Sequence, residues 1–257
     1  MTAPLRPSVS LRYDAVKRCL DGAGRAPGRI LEIGCGQGGL ATKLAEIGDY
    51  VGLEPDATSF RIARERLRAS GVGEVRNARF EDLGASDFFD LVCAFEVLEH
   101  MPDDHATLTE WKTRVAPGGL LMVSVPGYQK RFSTYDEYVG HYRRYEPDQL
   151  AALLRAIGLE DVRVMNYSFP FSYVVEFANL QIARRRISKR ADSQNMQERT
   201  AASGRVLSVP DPVVSIATTL VWPFRFVQRR FPNRGPGLLA FGRVRTAEPR
   251  EAVERGR

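Results

Sequence analysis

Two stretches of this chain hold residue types and spacings that can do chemistry. The first is ILEIGCGQGGLA, residues 30–41, where an apolar run ends in Glu32-Ile33 and the chain passes through Gly34, Gly36, Gly38 and Gly39. Glycine serves where backbone must turn tightly and lie against a ligand with no Cβ in the way. The second is AFEVLEHMPDD, residues 94–104, where Glu96, Glu99 and His100 fall within five residues. Two carboxylates and an imidazole that converge on one turn make an oxygen-and-nitrogen donor set for a divalent ion such as Mg²⁺. A hard ion there can position a hydroxyl and lower its pKa. Further on, GHYRRYEP holds His141. An imidazole titrates near pH ~6.5, which suits a general base or a further ligand. Plainer readings stand beside these. The carboxylates and His100 can brace a loop, and His141 can pack among Tyr135, Tyr138, Tyr142 and Tyr145. Arg143 and Arg144 read as an anchor for an anionic substrate or as a solvated pair, and His105 as a surface or capping residue.

The elements that must position these residues follow from periodicity. Leu11, Ala15, Val16, Cys19 and Leu20 share a stripe, which predicts a helix over 10–22. Short apolar runs then alternate with helical patterns. RILEIG, DYVGLE, the run within GVGEVRNARF, FDLVCAF, GLLMVSVP, LEDVRVMNYS and GLLAFGRV read as seven strands. GLATKLAEIG, ATSFRIARERLRAS, HATLTEWKTRVA and PDQLAALLRAIG read as helices between them. Near-continuous apolar strands alternating with helices predict a doubly wound, mostly parallel α/β sheet covered on both faces. Residues 127–145 read as polar, aromatic and irregular, 170–187 as helical, 188–206 as mobile, and 213–231 as apolar then basic.

The glycine loop thus falls at the carboxyl end of the first strand, where open α/β sheets bind ligands. Gly34-x-Gly36-x-x-Gly39, with Glu54 twenty residues after Gly34, also satisfies a dinucleotide fingerprint. Glu32 argues against it, because a carboxylate beside a pyrophosphate is electrostatically wrong and suits a cationic amino group instead. Asp82, just after the third strand, can accept from an adenine amino group.

On these residues the chain resembles the class I S-adenosylmethionine-dependent methyltransferases over about residues 28–167. The resemblance implies a Rossmann-like seven-stranded fold with a helical insertion before the last strand. It assigns Glu32, Gly34, Cys35, Gly36 and Gly38 to the methionine part of the cofactor, and Glu54 with Pro55 to the ribose. Asp82 and Phe95 would hold the adenosyl group. EVLEH is similar to the stretch in ubiquinone-biosynthesis and small-RNA O-methyltransferases where such residues bind a divalent metal, so Glu96, Glu99 and His100 are expected to hold one and His141 to act nearby. The expected reaction is methyl transfer to a hydroxyl of a small or lipid-linked molecule. Metal-free transfer to nitrogen or carbon is the alternative within enzymes, and a non-catalytic adenosyl-binding, membrane-associated protein the alternative outside them.

Composition bounds the rest. The chain has 257 residues, 44% hydrophobic and 26% charged, which excludes a disordered chain, a fibre or a disulfide mini-protein. Three scattered cysteines without a CxxC, no secretory signal and no long apolar run predict a cytoplasmic protein. The net charge of +6 is uneven: residues 1–169 carry 21 Lys+Arg against 24 Asp+Glu, and residues 170–257 carry 16 against 7. Two apolar-aromatic stretches in the basic end are each followed by an arginine cluster, FPFSYVVEFANLQIARRRISKR and VVSIATTLVWPFRFVQRRFPNR. They read as a lid over the cleft or as helices lying on an anionic membrane surface at the inner face of the membrane. Nucleic acid is disfavoured as a partner, since no RNA-binding motif is present. The expected organisation is an N-terminal helix or lid over 1–27, a cofactor-binding core over 28–167, a cap over 168–235, a last strand over 236–245 and a flexible tail over 246–257.

Overall fold

The computed structural model describes residues 5–24, 26–187 and 211–246, without the side chains of 182–187 and 211–220. The segment 188–206 and most of the tail lie outside the described residues. Strands β1 (Arg29–Ile33), β2 (Asp49–Leu53), β3 (Glu74–Arg76), β4 (Phe89–Phe95), β5 (Val115–Pro126), β6 (Glu160–Tyr167) and β7 (Gly237–Arg243) form one seven-stranded sheet in the order β3-β2-β1-β4-β5-β7-β6. All neighbours are parallel except β7, which inserts antiparallel between β5 and β6. This is the mostly parallel α/β sheet with the last strand reversed.

The apolar runs build it because both faces are covered. Along β4, Leu91, Cys93 and Phe95 pack into one core and Val92 and Ala94 into the other. The first core takes Val16 and Leu20 of α1 (Pro7–Gly22), Leu44 of α2 (Ala41–Ala45), and Ala63 and Leu67 of α3 (Ala57–Ser70). The second takes Leu108 and Trp111 of α4 (Asp104–Lys112), and Leu150 and Leu154 of α6 (Pro147–Ala156). Helix starts follow local chemistry: Pro7 opens α1 four residues before the first residue of its apolar stripe, and Asp56 accepts from the Ser59 amide at 2.9 Å to cap α3.

The region read as irregular contains a short helix, α5 (Thr134–Val139). Ser133 and Asp136 form a reciprocal capping box at its start, and Gly140 closes it at φ +84°. Conversely, the second expected helix shrinks to the five residues of α2.

Among the described residues, two helices lie between β6 and β7: α7 (Phe171–Ile187) and α8 (Asp211–Arg230). Glu176 of α7 pairs with Arg144 at 2.7 Å. Gln228 of α8 reaches the Leu11 carbonyl and Asp14 of α1 at 3.1 and 2.9 Å, and Arg225 reaches the Ser10 hydroxyl at 2.6 Å. Among the described residues no helix is long and apolar enough to cross a membrane.

Candidate active site

The strand order reverses between β1 and β4, so the loops after these two strands face one another at the sheet's carboxyl edge. They touch: a Cβ on Gly34 would lie 2.8 Å from Val97 Cγ2. Gly34, Gly36 and Gly38 all hold left-handed backbone, at φ +68°, +56° and +73°. A side chain at Gly34 is therefore both strained and in collision. Gly34→Val should weaken binding of S-adenosylhomocysteine at least ~10-fold, from a left-handed penalty of about 1–2 kcal/mol before the collision is added. A calorimetric titration checks it, and unchanged affinity would show that the loop does not bear on the ligand.

A cavity of about 1070 Å³ runs from this loop to the EVLEH turn, roomy enough for a cofactor and an acceptor together. Glu32, Gly34, Cys35, Gly36, Gly38, Glu54, Pro55 and Phe95 line its cofactor end. Glu32 is buried and accepts from the Tyr50 hydroxyl at 2.6 Å. Burial pushes its pKa up to about 7, which a cation beside it would reverse. Glu54 spends its two carboxylate oxygens on the amides of Gly36 and Asp56, both at 2.8 Å. It therefore holds the glycine loop to the end of β2 while lining the cavity. Asp82 is not brought to the cavity. Its carboxylate turns back to accept from the Arg79 amide at 2.8 Å and sits exposed on a single 3₁₀ turn. The residue expected at the adenine thus lies outside the cavity lining, with its Oδ2 engaged in local capping.

At the other end stand Glu96, Glu99, His100 and His141. Glu96 follows β4 in a left-handed conformation, φ +57°, and the 3₁₀ turn Leu98–His100 comes next. Strain of this kind in a non-glycine residue costs about 1–3 kcal/mol and persists only where the surroundings enforce it. Here Glu96 Oε1 accepts from the Ser124 hydroxyl at 2.9 Å and the Tyr167 hydroxyl at 3.0 Å, and lies 3.3 Å from the Arg12 guanidinium. Burial would raise its pKa, but Arg12 and the two hydroxyl donors outweigh that and hold it below the usual carboxylate range.

Glu99 is the opposite case. It is fully buried, and neither carboxylate oxygen has a hydrogen-bond partner. Burial, then the charge of Glu96, pushes its pKa well up. Around it, one donor atom each from Glu99, His100 and His141 lies within 4.8 Å of the others. His100 Nδ1 is 3.1 Å from the Gly140 carbonyl. A carbonyl only accepts, so Nδ1 carries the proton and Nε2 presents its lone pair. Burial, helped by His141, pushes the His100 pKa down to about 4, so this imidazole is neutral at neutral pH, the form that ligates metal.

His141 Nδ1 faces Asp136 Oδ1 at 3.0 Å, leaving Nε2 3.8 Å from Glu99 Oε1. Asp136 is fully buried and also receives Arg144 Nε and Nη2 at 2.8 and 3.0 Å. This is a carboxylate–histidine arrangement that fixes ring orientation and tautomer.

The structure therefore differs from the expected donor set. His141 joins Glu99 and His100, while Glu96, tied by Arg12, Tyr167 and Ser124, stands beside the trio. Arg144 lines the cavity while paired with Asp136 and Glu176, and Arg143 is held by Asp104 at 2.8 Å. The periodicity of the sequence carried no signal for Arg12, Tyr167 or Asp136 in this site; the S-x-x-D capping pattern of Ser133–Asp136 was the one local clue. The cysteines are not nucleophiles: all three are buried, and burial pushes the Cys19 thiol up to about 12 and raises the Cys35 and Cys93 thiols as well.

Comparison with known proteins gives the family and the fold. The family described as "Methyltransferase domain" matches residues 9–164. The chain is 30% identical over 196 residues to a ubiquinone biosynthesis O-methyltransferase of Aromatoleum aromaticum, covering 68% of this chain and 82% of that one. The crystal structure of the YcgJ protein from Bacillus subtilis shares the fold with a TM-score of 0.59 at 14% identity, over 91% of this chain and all of the other. Phosphoethanolamine N-methyltransferase 2 of Haemonchus contortus, in complex with S-adenosyl-L-methionine, does so at a TM-score of 0.53 and 20% identity, over 91% of this chain and 53% of the other.

Proposed function

The chain belongs to the methyltransferase-domain family and is an S-adenosylmethionine-dependent methyltransferase, and from that premise we propose that it methylates a hydroxyl group with the help of a divalent ion held by Glu99, His100 and His141. The observation that carries the reading is the fully buried Glu99 carboxylate with no hydrogen-bond partner on either oxygen, facing two imidazoles. A buried carboxyl left so costs several kcal/mol unless a cation or a proton satisfies it. One carboxylate oxygen and two imidazole nitrogens suit a divalent ion. The 30%-identical relative named as an O-methyltransferase supports a hydroxyl acceptor.

S-adenosylmethionine supplies an electrophilic methyl on a sulfonium, and a divalent ion supplies charge that lowers the pKa of an acceptor hydroxyl. The chain's own residues align and desolvate the reactants. Glu32 would meet the cationic amino group of the cofactor, the glycine loop would admit its close approach, and Phe95 would flank the adenosyl group. Asp136 holds His141 in one orientation, and Arg12 with Tyr167 keeps Glu96 ionised at the cavity wall. Ser172, Val175, Glu176 and Asn179 of α7 line the same cavity.

The test is transfer of a labelled methyl group from S-adenosylmethionine into a cell extract, with Mg²⁺ or with EDTA. Label is expected in methyl ethers, falling with EDTA and returning with Mg²⁺; partition into organic solvent would identify a lipid-linked acceptor. Label confined to methylated amines, or transfer indifferent to EDTA, overturns the reading.

A further inference from the structure

Among the described side chains of α7 and α8, several large apolar ones face away from the fold. Along α7, Ser172, Val175, Glu176 and Asn179 border the cavity, and at 3.6 residues per turn these positions share one face. Val174 and Phe177 fall on the opposite face and are 69% and 66% exposed. In α8, Val221 and Gln228 are buried, the latter bound to α1. Trp222, Phe226 and Arg230 follow one another at four-residue spacing on the outer face. Trp222 and Phe226 are 56% and 55% exposed and stack edge to face at 5.0 Å, and Phe231 continues the exposed aromatic run. The rings of Phe171 and Phe224 meet at 6.0 Å, so the two helices adjoin.

Charge selects what covers this face. From Pro212 to Ala247 the chain contains no Asp or Glu, while Arg225, Arg229, Arg230 and Arg234 fall among the aromatics. Arg225 and Arg229 turn inward to Ser10 and Asp14. Arg230 and Arg234 are exposed, with their guanidinium groups 5.8 and 5.6 Å from the Phe231 ring. We propose that the outer face of α8 and Phe231 docks on an anionic bilayer surface, with Trp222, Phe226 and Phe231 at the acyl boundary and Arg230 and Arg234 at the phosphates. A second copy meeting the same patch about a two-fold axis would bring like charge against like. No helix among the described residues is long and apolar enough to span a bilayer. The docking stands apart from the methyl-transfer reading, since it needs no acceptor.

Tryptophan emission reads the contact directly. Of the two tryptophans, Trp111 is 3% exposed and Trp222 is the one open to solvent. Addition of phosphatidylcholine vesicles containing about 30% phosphatidylglycerol should shift emission to shorter wavelength and pellet the protein, with binding weakened by salt. An Arg230→Gln/Arg234→Gln variant should bind these vesicles about 30-fold more weakly, from about 1 kcal/mol per arginine near the surface. Trp222→Ser/Phe226→Ser should release the protein while its melting temperature and S-adenosylhomocysteine affinity stay unchanged. No binding by the wild type, equal binding to pure phosphatidylcholine, variants that bind like the wild type, or a lipid-free dimer that Trp222→Ser dissociates would each overturn the proposal.

Discussion

Replacing Glu99 by glutamine should lower the turnover of methyl transfer about 10²- to 10⁴-fold, the range of one acid–base or ion-activation step, while leaving S-adenosylhomocysteine binding intact. The substitution keeps the shape of a side chain that is fully buried and removes only its capacity to become an anion. Glu99 lies at the acceptor end of the cavity, beyond the glycine loop and Glu32, so cofactor affinity has no reason to change. A carboxylate that merely braced the loop would behave otherwise. Neither of its oxygens accepts a hydrogen bond, so the glutamine would then be tolerated and turnover would stay near the wild-type value. Single-turnover kinetics with labelled cofactor separates the two outcomes.

The second large effect falls on stability as well as activity. Asp136 receives two guanidinium contacts from Arg144, one imidazole contact from His141, and the amide and hydroxyl of Ser133, both at 2.9 Å. Asp136→Ala leaves Arg144 buried with Glu176 as its remaining carboxylate and frees the His141 ring to rotate. The expected loss is about 3–5 kcal/mol, as for other buried pairs deprived of one partner. The melting temperature should fall by on the order of 10 °C for a chain of this size, and turnover should fall with it. Burial alone would raise the Asp136 pKa, but His141 and Arg144 outweigh it and hold the carboxyl well below the usual range. A depressed folded pKa gives stability that is complete above the unfolded value near ~3.9 and fades as pH falls through the folded one. The gap between wild type and Asp136→Ala should therefore be full at neutral pH, begin to narrow only below about pH 4, and keep narrowing as pH falls toward the depressed folded pKa. A gap that did not vary with pH would contradict the ion-pair account.

What the sequence made legible was local. A glycine loop between an apolar strand and a helix can be read within a dozen residues, and Gly34, Gly36 and Glu32 stand where that reading expects. The EVLEH turn was legible for the same reason. The long-range parts were not. Arg12 meets Tyr167 across 155 positions, and no periodicity in either segment announces the contact. Asp82 shows the converse failure: its place after the third strand was visible, but its carboxylate found a nearer donor in the Arg79 amide. Glu96 misled through backbone conformation. Spacing alone suggested that Glu96, Glu99 and His100 converge on one turn, whereas the left-handed kink at Glu96 sends its carboxylate to Ser124 and Tyr167 and leaves room for His141. The short helix α5 was hidden because its residues are polar and aromatic with no apolar stripe. Its capping box, not hydrophobic periodicity, defines it.

The measurement that bears most directly on the central claim is a titration of Mn²⁺ into the purified, chelator-treated protein, read by loss of the free-ion paramagnetic signal. The wild type should bind one ion per chain, and more tightly as pH rises, because ionising Glu99 releases a proton that burial otherwise retains. Glu99→Gln and His141→Ala should each abolish that binding and leave S-adenosylhomocysteine affinity unchanged. Ion binding that survives in both variants, or a wild type that binds none while transferring methyl groups at full rate, would contradict it.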